Sequence, residues 1–400
     1  MTTTAARPAA TVTRARTAVM AVFLLNGLVM ASWISRVPAT RDRLDLSASQ
    51  IGLVLLAMSG GAVLALPLAG TVVHRFGPRG TVRAAALLCT AGLALFGLAP
   101  SVWLLVPGLF CMGVGSGTWD VAMNVEGAEV ERRLGRAIMP HFHALFSVGT
   151  VVGALLGALL NHLDVPTPAH LVPLAVLVAV ATLWSLRGFL PDAEVPDEHA
   201  DDAATSGPRM RAIDAWREPR TLAIGLVVLT FAFTEGSAND WMALALVDGY
   251  DLSNSQGVLG FAVFVTAMTV GRLLGTRLLD RFGRVPVLRL TAALAVVGLL
   301  LVVVGVSPWL AGVGAVLWGL GASLGFPVGM SAAADDPRYA AARVSVVSSI
   351  GYTAFLAGPP LIGFLADHVG ILEALWVVLA VLAVAVVVAQ AAREQPPAGS

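Results

Sequence analysis

The sequence predicts an all-α membrane protein, with twelve transmembrane helices arranged as two pseudo-symmetric six-helix bundles. Three observations predict it. Of 400 residues, 57% are hydrophobic and only 12% are charged, about half the roughly 25% of a soluble domain. A soluble chain of this size has nowhere to hide so much apolar surface. Apolar runs of about 20 residues, the length that crosses the hydrocarbon core, occur twelve times, and they fall into two sets of six.

Residues 1–16 are a polar, arginine-bearing tail. The apolar run that follows has no small-residue cleavage site before Trp33, so it is read as a retained first span. Spans 1–6 are expected near 17–36, 49–72, 80–99, 102–125, 139–161 and 169–188. Spans 7–12 are expected near 219–246, 256–279, 285–306, 308–331, 343–366 and 371–391. The bundles thus cover 17–190 and 218–392, followed by a short tail, 393–400. Between them, 191–217 reads as a solvated linker: Pro191, Pro196 and Pro208 break it, and an acidic stretch from Asp192 to Asp202 precedes Arg209, Arg211 and Arg217. With both termini cytoplasmic, 21 of the 25 arginines lie in or beside cytoplasmic segments, as the positive-inside rule requires. Arg36, Arg41 and Arg43 lie outside, and Arg272 lies within a span.

The halves repeat at a fixed offset of 206 residues. Asp45-Leu-Ser-Ala-Ser-Gln50 recurs as Asp251-Leu-Ser-Asn-Ser-Gln256, Arg75-Phe-Gly77 as Arg281-Phe-Gly283, and Ser101-Val-Trp-Leu104 as Ser307-Pro-Trp-Leu310. Each copy has an even number of spans, so both enter the membrane in the same direction. A solute site is then expected between them near the midplane.

The basic residues are all arginine. Without lysine there is no Walker-A phosphate loop and no Schiff-base cofactor, so no cofactor is expected and energy comes from a gradient or another subunit. Cys89 and Cys111 sit in apolar runs, which gives no disulfide framework and no metal motif. A net charge of zero gives no case for nucleic acid. The expected partners are a small-molecule solute, protons and the lipid bilayer, with the chain working as a monomer.

Ionisable groups inside hydrocarbon are costly, so their positions carry information. Spans 3, 6, 9 and 12 have none in their interiors, as expected of lipid-facing helices. Interior charges and imidazoles fall in spans 4, 5, 7 and 8, with Asn26 in span 1 and Tyr352 in span 11. Counted at about 1.5 Å per residue, Asp120 and His143 should share a depth on the cytoplasmic side, with Asn124 one turn from Asp120. Glu235 is near the middle of span 7, Asn239 and then Asp240 and Trp241 lie further outward, and Arg272 is within reach of Glu235. Asp120 and His143 read either as a structural pair or as solute and proton handling. Glu235 either neutralises Arg272 or couples with it, and Asp240 is either hydrated or functional. Trp33, Trp103, Trp241 and Trp309 read as interfacial anchors by position, with a stacking platform for solute as the alternative at Trp241.

The loop Gly70-Thr-Val-Val-His-Arg-Phe-Gly-Pro-Arg79 resembles the signature loop of the major facilitator superfamily, Gly-x-x-x-Asp-Arg-x-Gly-Arg-Arg, with His74 in place of the Asp and Pro78 in place of an Arg. The second copy, Asp280-Arg-Phe-Gly-Arg284, keeps the Asp. The resemblance implies the twelve-helix fold and a conformational-switch role for Gly70, His74, Arg75, Gly77, Arg79, Asp280, Arg281, Gly283 and Arg284. Gly115-Ser-Gly-Thr-Trp-Asp-Val-Ala-Met-Asn124 is similar to the Gly-x-Gly-x-x-Glu-x-x-x-Asn of the branch around the fucose–proton symporter. His143-x-x-x-Ser147-x-Gly149 falls where that branch has Gln-x-x-x-Ser-x-Gly. Glu235-Gly-Ser-Ala-Asn-Asp-Trp241 looks like a motif of bacterial members of the branch.

On this reading the chain is not an enzyme but a secondary active transporter of a bacterial inner membrane, moving a small polar, sugar-like solute with protons. Asp120, Glu235, His143 and Arg272 would handle the proton. Asn26, Asp120, Asn124, His143, Asn239, Asp240, Trp241 and Tyr352 would contact solute. The alternatives are proton-driven efflux of drugs or metabolites and, more remotely, a membrane-embedded enzyme or a transport-dead sensor.

Overall fold

A computed structural model describes residues 6–135, 138–191, 212–336 and 339–394. The acidic stretch expected to form the linker lies outside them. Among the described residues there are helices and no strand, and eleven of the helices are long and apolar enough to cross a membrane. The longest, Ala48–Leu98, carries spans 2 and 3 and breaks at Gly77 (φ 70°, ψ 161°), which restores the count to twelve. Span 1 is Ala6–Ile34, continued after a break at Ser35 and Arg36 by a short helix, Val37–Leu44. Spans 4, 5 and 6 are Val102–Leu134, Met139–His162 and Thr167–Ser185. Spans 7, 8 and 9 are Pro219–Tyr250, Asn254–Phe282 and Arg284–Val303. Span 10 is split into Pro308–Ala322 and Gly325–Ala333, span 11 is Ala340–Val369, and the main helix of span 12 is Trp376–Val388.

The three repeated sequence motifs turn out to be helix-boundary devices. Asp45 and Asp251 stop their helices in the left-handed region, at φ 51° and 53°. Two residues later Ser47 and Ser253 start the next helix with a capping box. The Gln50 side chain accepts from Ser47 N at 2.9 Å while Ser47 Oγ accepts from Gln50 N at 3.3 Å. Ser253 and Gln256 repeat this at 3.0 and 3.3 Å. Gly77 and Gly283 make the same positive-φ turn, at 70° and 76°, where a side chain would be strained. Ser101 and Ser307 precede spans 4 and 10 with extended backbones at φ −158° and −162°.

The repeat extends into packing that the sequence comparison did not reach. A Cβ at Gly92 would lie 2.5 Å from Gly108 O, and one at Gly298, 206 residues on, would lie 2.6 Å from Gly314 O. Gly113 in span 4 presses on the Met58 carbonyl of span 2, and Gly319 in span 10 presses on the Phe264 carbonyl of span 8. Each pair holds two helices at backbone contact, a use of small residues common in membranes.

The chain divides into two compact units, Met1–Asp45 with Ala57–Thr205, and Leu46–Leu56 with Ser206–Ser400. The first turns of span 2 therefore belong to the second unit, a departure from a clean division at the linker. Ala48 O and the Pro359 backbone lie where Cβ atoms on Gly363 and Gly52 would stand. Asp367 also accepts from Ser47 Oγ, Ala48 N and Ser49 N at 2.8–3.0 Å. In the first unit, span 1 runs against span 5 through Gly27 on the Phe146 carbonyl and Gly149 on the Leu24 carbonyl.

Candidate functional site

Each unit carries its own polar surface on otherwise apolar helices. In the first, Asp120 is exposed and sits on a glycine-rich stretch of span 4 whose neighbours Trp119 and Met123 are fully buried. Its hydrogen-bond partner among the described residues is Asn124, one helical turn on, whose Nδ2 donates to Asp120 O at 2.8 Å and to Oδ1 at 3.3 Å. The Asp120 carboxylate is thus braced by Asn124. His143 is exposed on span 5, its ring edge-on to Phe23 at 5.2 Å. Asn26 is 1% exposed, and its Nδ2 donates to Met123 Sδ at 3.7 Å. It lies behind the surface, supporting the helix that carries Asp120.

In the second unit, Arg272 of span 8 reaches Glu235 of span 7, with Nη2 donating to both carboxylate oxygens at 2.9 and 3.1 Å and Nε to Ser323 O at 3.3 Å. The pair is only partly enclosed, with side chains 33% and 16% exposed. Asn239, one turn from Glu235, and Asp240 are half-buried and have no hydrogen-bond partner among the described residues. Trp241 departs from the expected stacking platform. It is fully buried, with the far edge of its ring where a side chain on Gly363 would go, because residue 241 faces the helix contact rather than the side that carries Glu235 and Asn239. Tyr352 is half-buried in span 11, its ring 6.3 Å from that of Phe355.

The switch loops differ between copies in a way the substitutions explain. Arg284 donates to Asp335 Oδ1 at 2.7 Å and to Ser331 Oγ at 3.0 Å, while Arg220 donates to Asp335 Oδ2 at 2.9 Å. In the first copy Pro78 stands where the second has Arg284, and Glu129 where it has Asp335. Deprived of a loop arginine, Glu129 takes Arg132 and Arg133 from its own helix. His74, Arg75 and Asp280 are exposed, and Arg75 and Arg281 each lie over the following phenylalanine ring, at 5.7 and 5.2 Å. Sequence reasoning missed the Glu218–Arg343 ion pair at 2.8 Å and the cap formed by Asp367. Both partners are far apart in the chain, and no spacing links them.

Two in-register halves of apolar helices, each with a few polar side chains set into its spans, define a multi-pass membrane transporter. The family model of the Major Facilitator Superfamily matches residues 18–352 and 241–400, and the chain belongs to that superfamily. It is 33% identical to the uncharacterized transporter y4wD of Sinorhizobium fredii, over 87% of this chain and 90% of that one. It is 30% identical to the membrane protein MosC of Rhizobium meliloti, over 93% and 88%. The fold is similar to the crystal structure of the nucleoside transporter NupG, with a TM-score of 0.72 at 14% identity, covering 94% of this chain and 98% of that one. It is equally similar, at TM-score 0.72 and 14% identity, to a bacterial homologue of the lysosomal transporter Spinster, covering 97% and 99%. The family and the relative y4wD are transporters, not enzymes.

Proposed function

We propose that the protein is a secondary active transporter of a bacterial inner membrane, with both termini cytoplasmic, that moves a small polar, sugar-like solute together with protons by alternating access and works as a monomer. The observation that carries this reading is Asp120, a carboxylate on an apolar span, left exposed and, among the described residues, braced by the amide of Asn124. A structural acid in hydrocarbon is buried against a cation or several donors, and among the described residues Asp120 has neither. It is the proton site, and Asn124 and His143 contact solute beside it. Asn239 and Asp240, whose side chains have no hydrogen-bond partner among the described residues, offer solute contacts on the second unit, as does Tyr352. Glu235 with Arg272 is a second coupling pair. Asn26 and Trp241 support these surfaces from behind. The switch loops at Gly70–Arg79 and Asp280–Arg284 set the conformational equilibrium.

The test adds a panel of sugars, polyols, small acids and nucleosides to de-energised, weakly buffered cells overproducing the protein, with external pH recorded. Nucleosides belong in the panel because NupG is a nucleoside transporter. The expected result is a solute-specific alkalinisation that vanishes in Asp120→Asn. Gradient-driven accumulation that survives Asp120→Asn overturns the assignment, and proton release on addition of solute to everted vesicles would replace symport by export.

A further inference from the structure

At the break in span 1, one arginine is buried without a counterion among the described residues. Arg36 is 1% exposed. Its Nε donates to His170 Nδ1 at 2.8 Å, and its Nη1 donates to Asn161 Oδ1 at 2.8 Å and to Val165 O at 3.0 Å. Asn161 is held in turn, its Nδ2 donating to Ser35 O at 3.0 Å. Every acceptor in this network is neutral. Arg36 forms no ion pair among the described residues, unlike Arg220, Arg272, Arg284 and Arg343, each of which meets a carboxylate. Of the acids nearest in the chain to Arg36 or its partners, Asp42 pairs with Arg41, and Asp45 and Asp164 form no ion pair with Arg36 among the described residues.

The network also leaves donors over. Arg36 Nη2 is buried with no hydrogen-bond partner. Because His170 Nδ1 accepts from Arg36, the neutral imidazole carries its proton on Nε2, and that N–H is buried and unpartnered as well. Thr40, one turn after Arg36 and 1% exposed, has an unpartnered buried hydroxyl. A full positive charge and two idle donors one helical turn apart, Arg36 Nη2 and the Thr40 hydroxyl, lack one thing, a negative acceptor. A buried charge is expensive unless it is paired, and idle buried donors cost about 1–3 kcal/mol each.

We propose that the first unit holds a small inorganic anion of the halide class on Arg36 Nη2, with Thr40, one helical turn on, as a further donor. The site is separate from the surface that carries Asp120. It has a structural consequence of its own, since the anion ties span 1 to span 6 through the Arg36–His170 contact. A small monovalent ion suits a site whose lining is buried, and a large organic anion such as gluconate does not.

The test uses the full-length protein in detergent micelles. Apparent Tm is followed while chloride or bromide replaces gluconate at constant ionic strength. The expected result is a saturable rise of a few degrees, because a ligand that binds the folded state alone stabilises it. Arg36→Gln abolishes the halide response, and Thr40→Val shifts its midpoint to several-fold higher concentration. Should Arg36→Gln fail to fold, Thr40→Val decides. An anomalous bromide peak beside Arg36 in crystals would locate the ion independently. A wild-type Tm that does not distinguish halide from gluconate overturns the proposal, as does a halide response that is unchanged in Thr40→Val and Arg36→Gln.

Discussion

Gly92→Ala should destabilise the first unit, and its repeat equivalent Gly298→Ala should destabilise the second by a similar amount. A Cβ at Gly92 meets Gly108 O at 2.5 Å, Met112 Cγ at 2.7 Å and Met112 N at 2.8 Å, and one at Gly298 meets Gly314 O at 2.6 Å and the backbone of Trp318 and Leu317. Ordinary contact begins at 3.4 Å, so spans 3 and 4, and likewise 9 and 10, must part by about 1 Å. Overpacking of this kind costs about 1–3 kcal/mol, against at most about 1 kcal/mol gained from alanine's better helix propensity. The net loss, up to about 2 kcal/mol, corresponds to a fall in apparent Tm of about 1–2.5 °C for a chain of 400 residues, because the unfolding entropy grows with length. Gly60 and Gly312 have nothing within 4 Å of an added Cβ, so Gly60→Ala and Gly312→Ala should leave Tm unchanged or raise it slightly. Thermal unfolding in detergent, followed by loss of the monodisperse size-exclusion peak, reads all four. If Gly92→Ala and Gly298→Ala behave like Gly60→Ala, the backbone contacts do not set the helix spacing and the reasoning fails.

Three further outcomes follow from the ion pairs and caps. Glu235→Gln and Arg272→Gln each strand a partly buried charge, so each alone should lower Tm more than the two together, with a coupling of about 0.5–3 kcal/mol in a double-mutant cycle. Strict additivity would refute the pairing. Asp367→Ala removes the carboxylate that accepts from Ala48 N and Ser49 N, at a cost of about 1–2 kcal/mol typical of a lost N-cap. Amide exchange at the start of span 2 should then accelerate while spans 4 and 5 stay protected, and uniform exchange would count against it. The Arg343 hydrogen bonds, with Thr221 beside them, hold the Glu218 carboxyl below its ordinary value. Its contribution is therefore present at neutral pH and lost as pH falls below about 4.3, the unfolded value. Tm profiles from pH 7 to 3 should lose part of their acid limb in Arg343→Gln, and an unchanged profile would discard the assignment.

The fold was legible because its determinants are local. A run of 20 apolar residues announces a span whatever it packs against, and the motifs at Asp45, Gly77 and Ser101 are turn and cap chemistry read within six residues. What the sequence could not show was where a span divides without leaving the helix, as at Ser35, Ser323 and Leu324. It was equally silent on partners such as Asp367 and Ser47, which lie 320 residues apart. The candidate site was half legible. Polarity inside a span flags Asp120, Glu235, Asn239 and Asp240, but only the helix phase places Trp241 inward while Asn239, two residues earlier, stays half-buried. The same limit hid the Asn124 brace of Asp120, since a helix offers that amide to either neighbour.

The repeat separates scaffold from chemistry. Where a residue sets a turn or a close approach, its counterpart 206 positions away does the same, as with Asp45 and Asp251, Gly77 and Gly283, or Gly113 and Gly319. Even the acids Glu129 and Asp335 occupy equivalent positions, each locked in ion pairs. The polar residues of the candidate site follow no such rule. Phe326 stands at the equivalent of Asp120, Ser349 at that of His143, Val29 at that of Glu235 and Leu66 at that of Arg272. If Asp120 were needed to build a six-helix bundle, the second bundle would have to be built without it, and it is. The backbone constraints shared by both copies therefore account for the fold, and they leave the unshared charges to be explained by what the protein carries. An Asp120→Asn protein that folds with wild-type Tm yet moves no protons with solute is the outcome this argument requires, whereas a collapse in stability would return Asp120 to the scaffold.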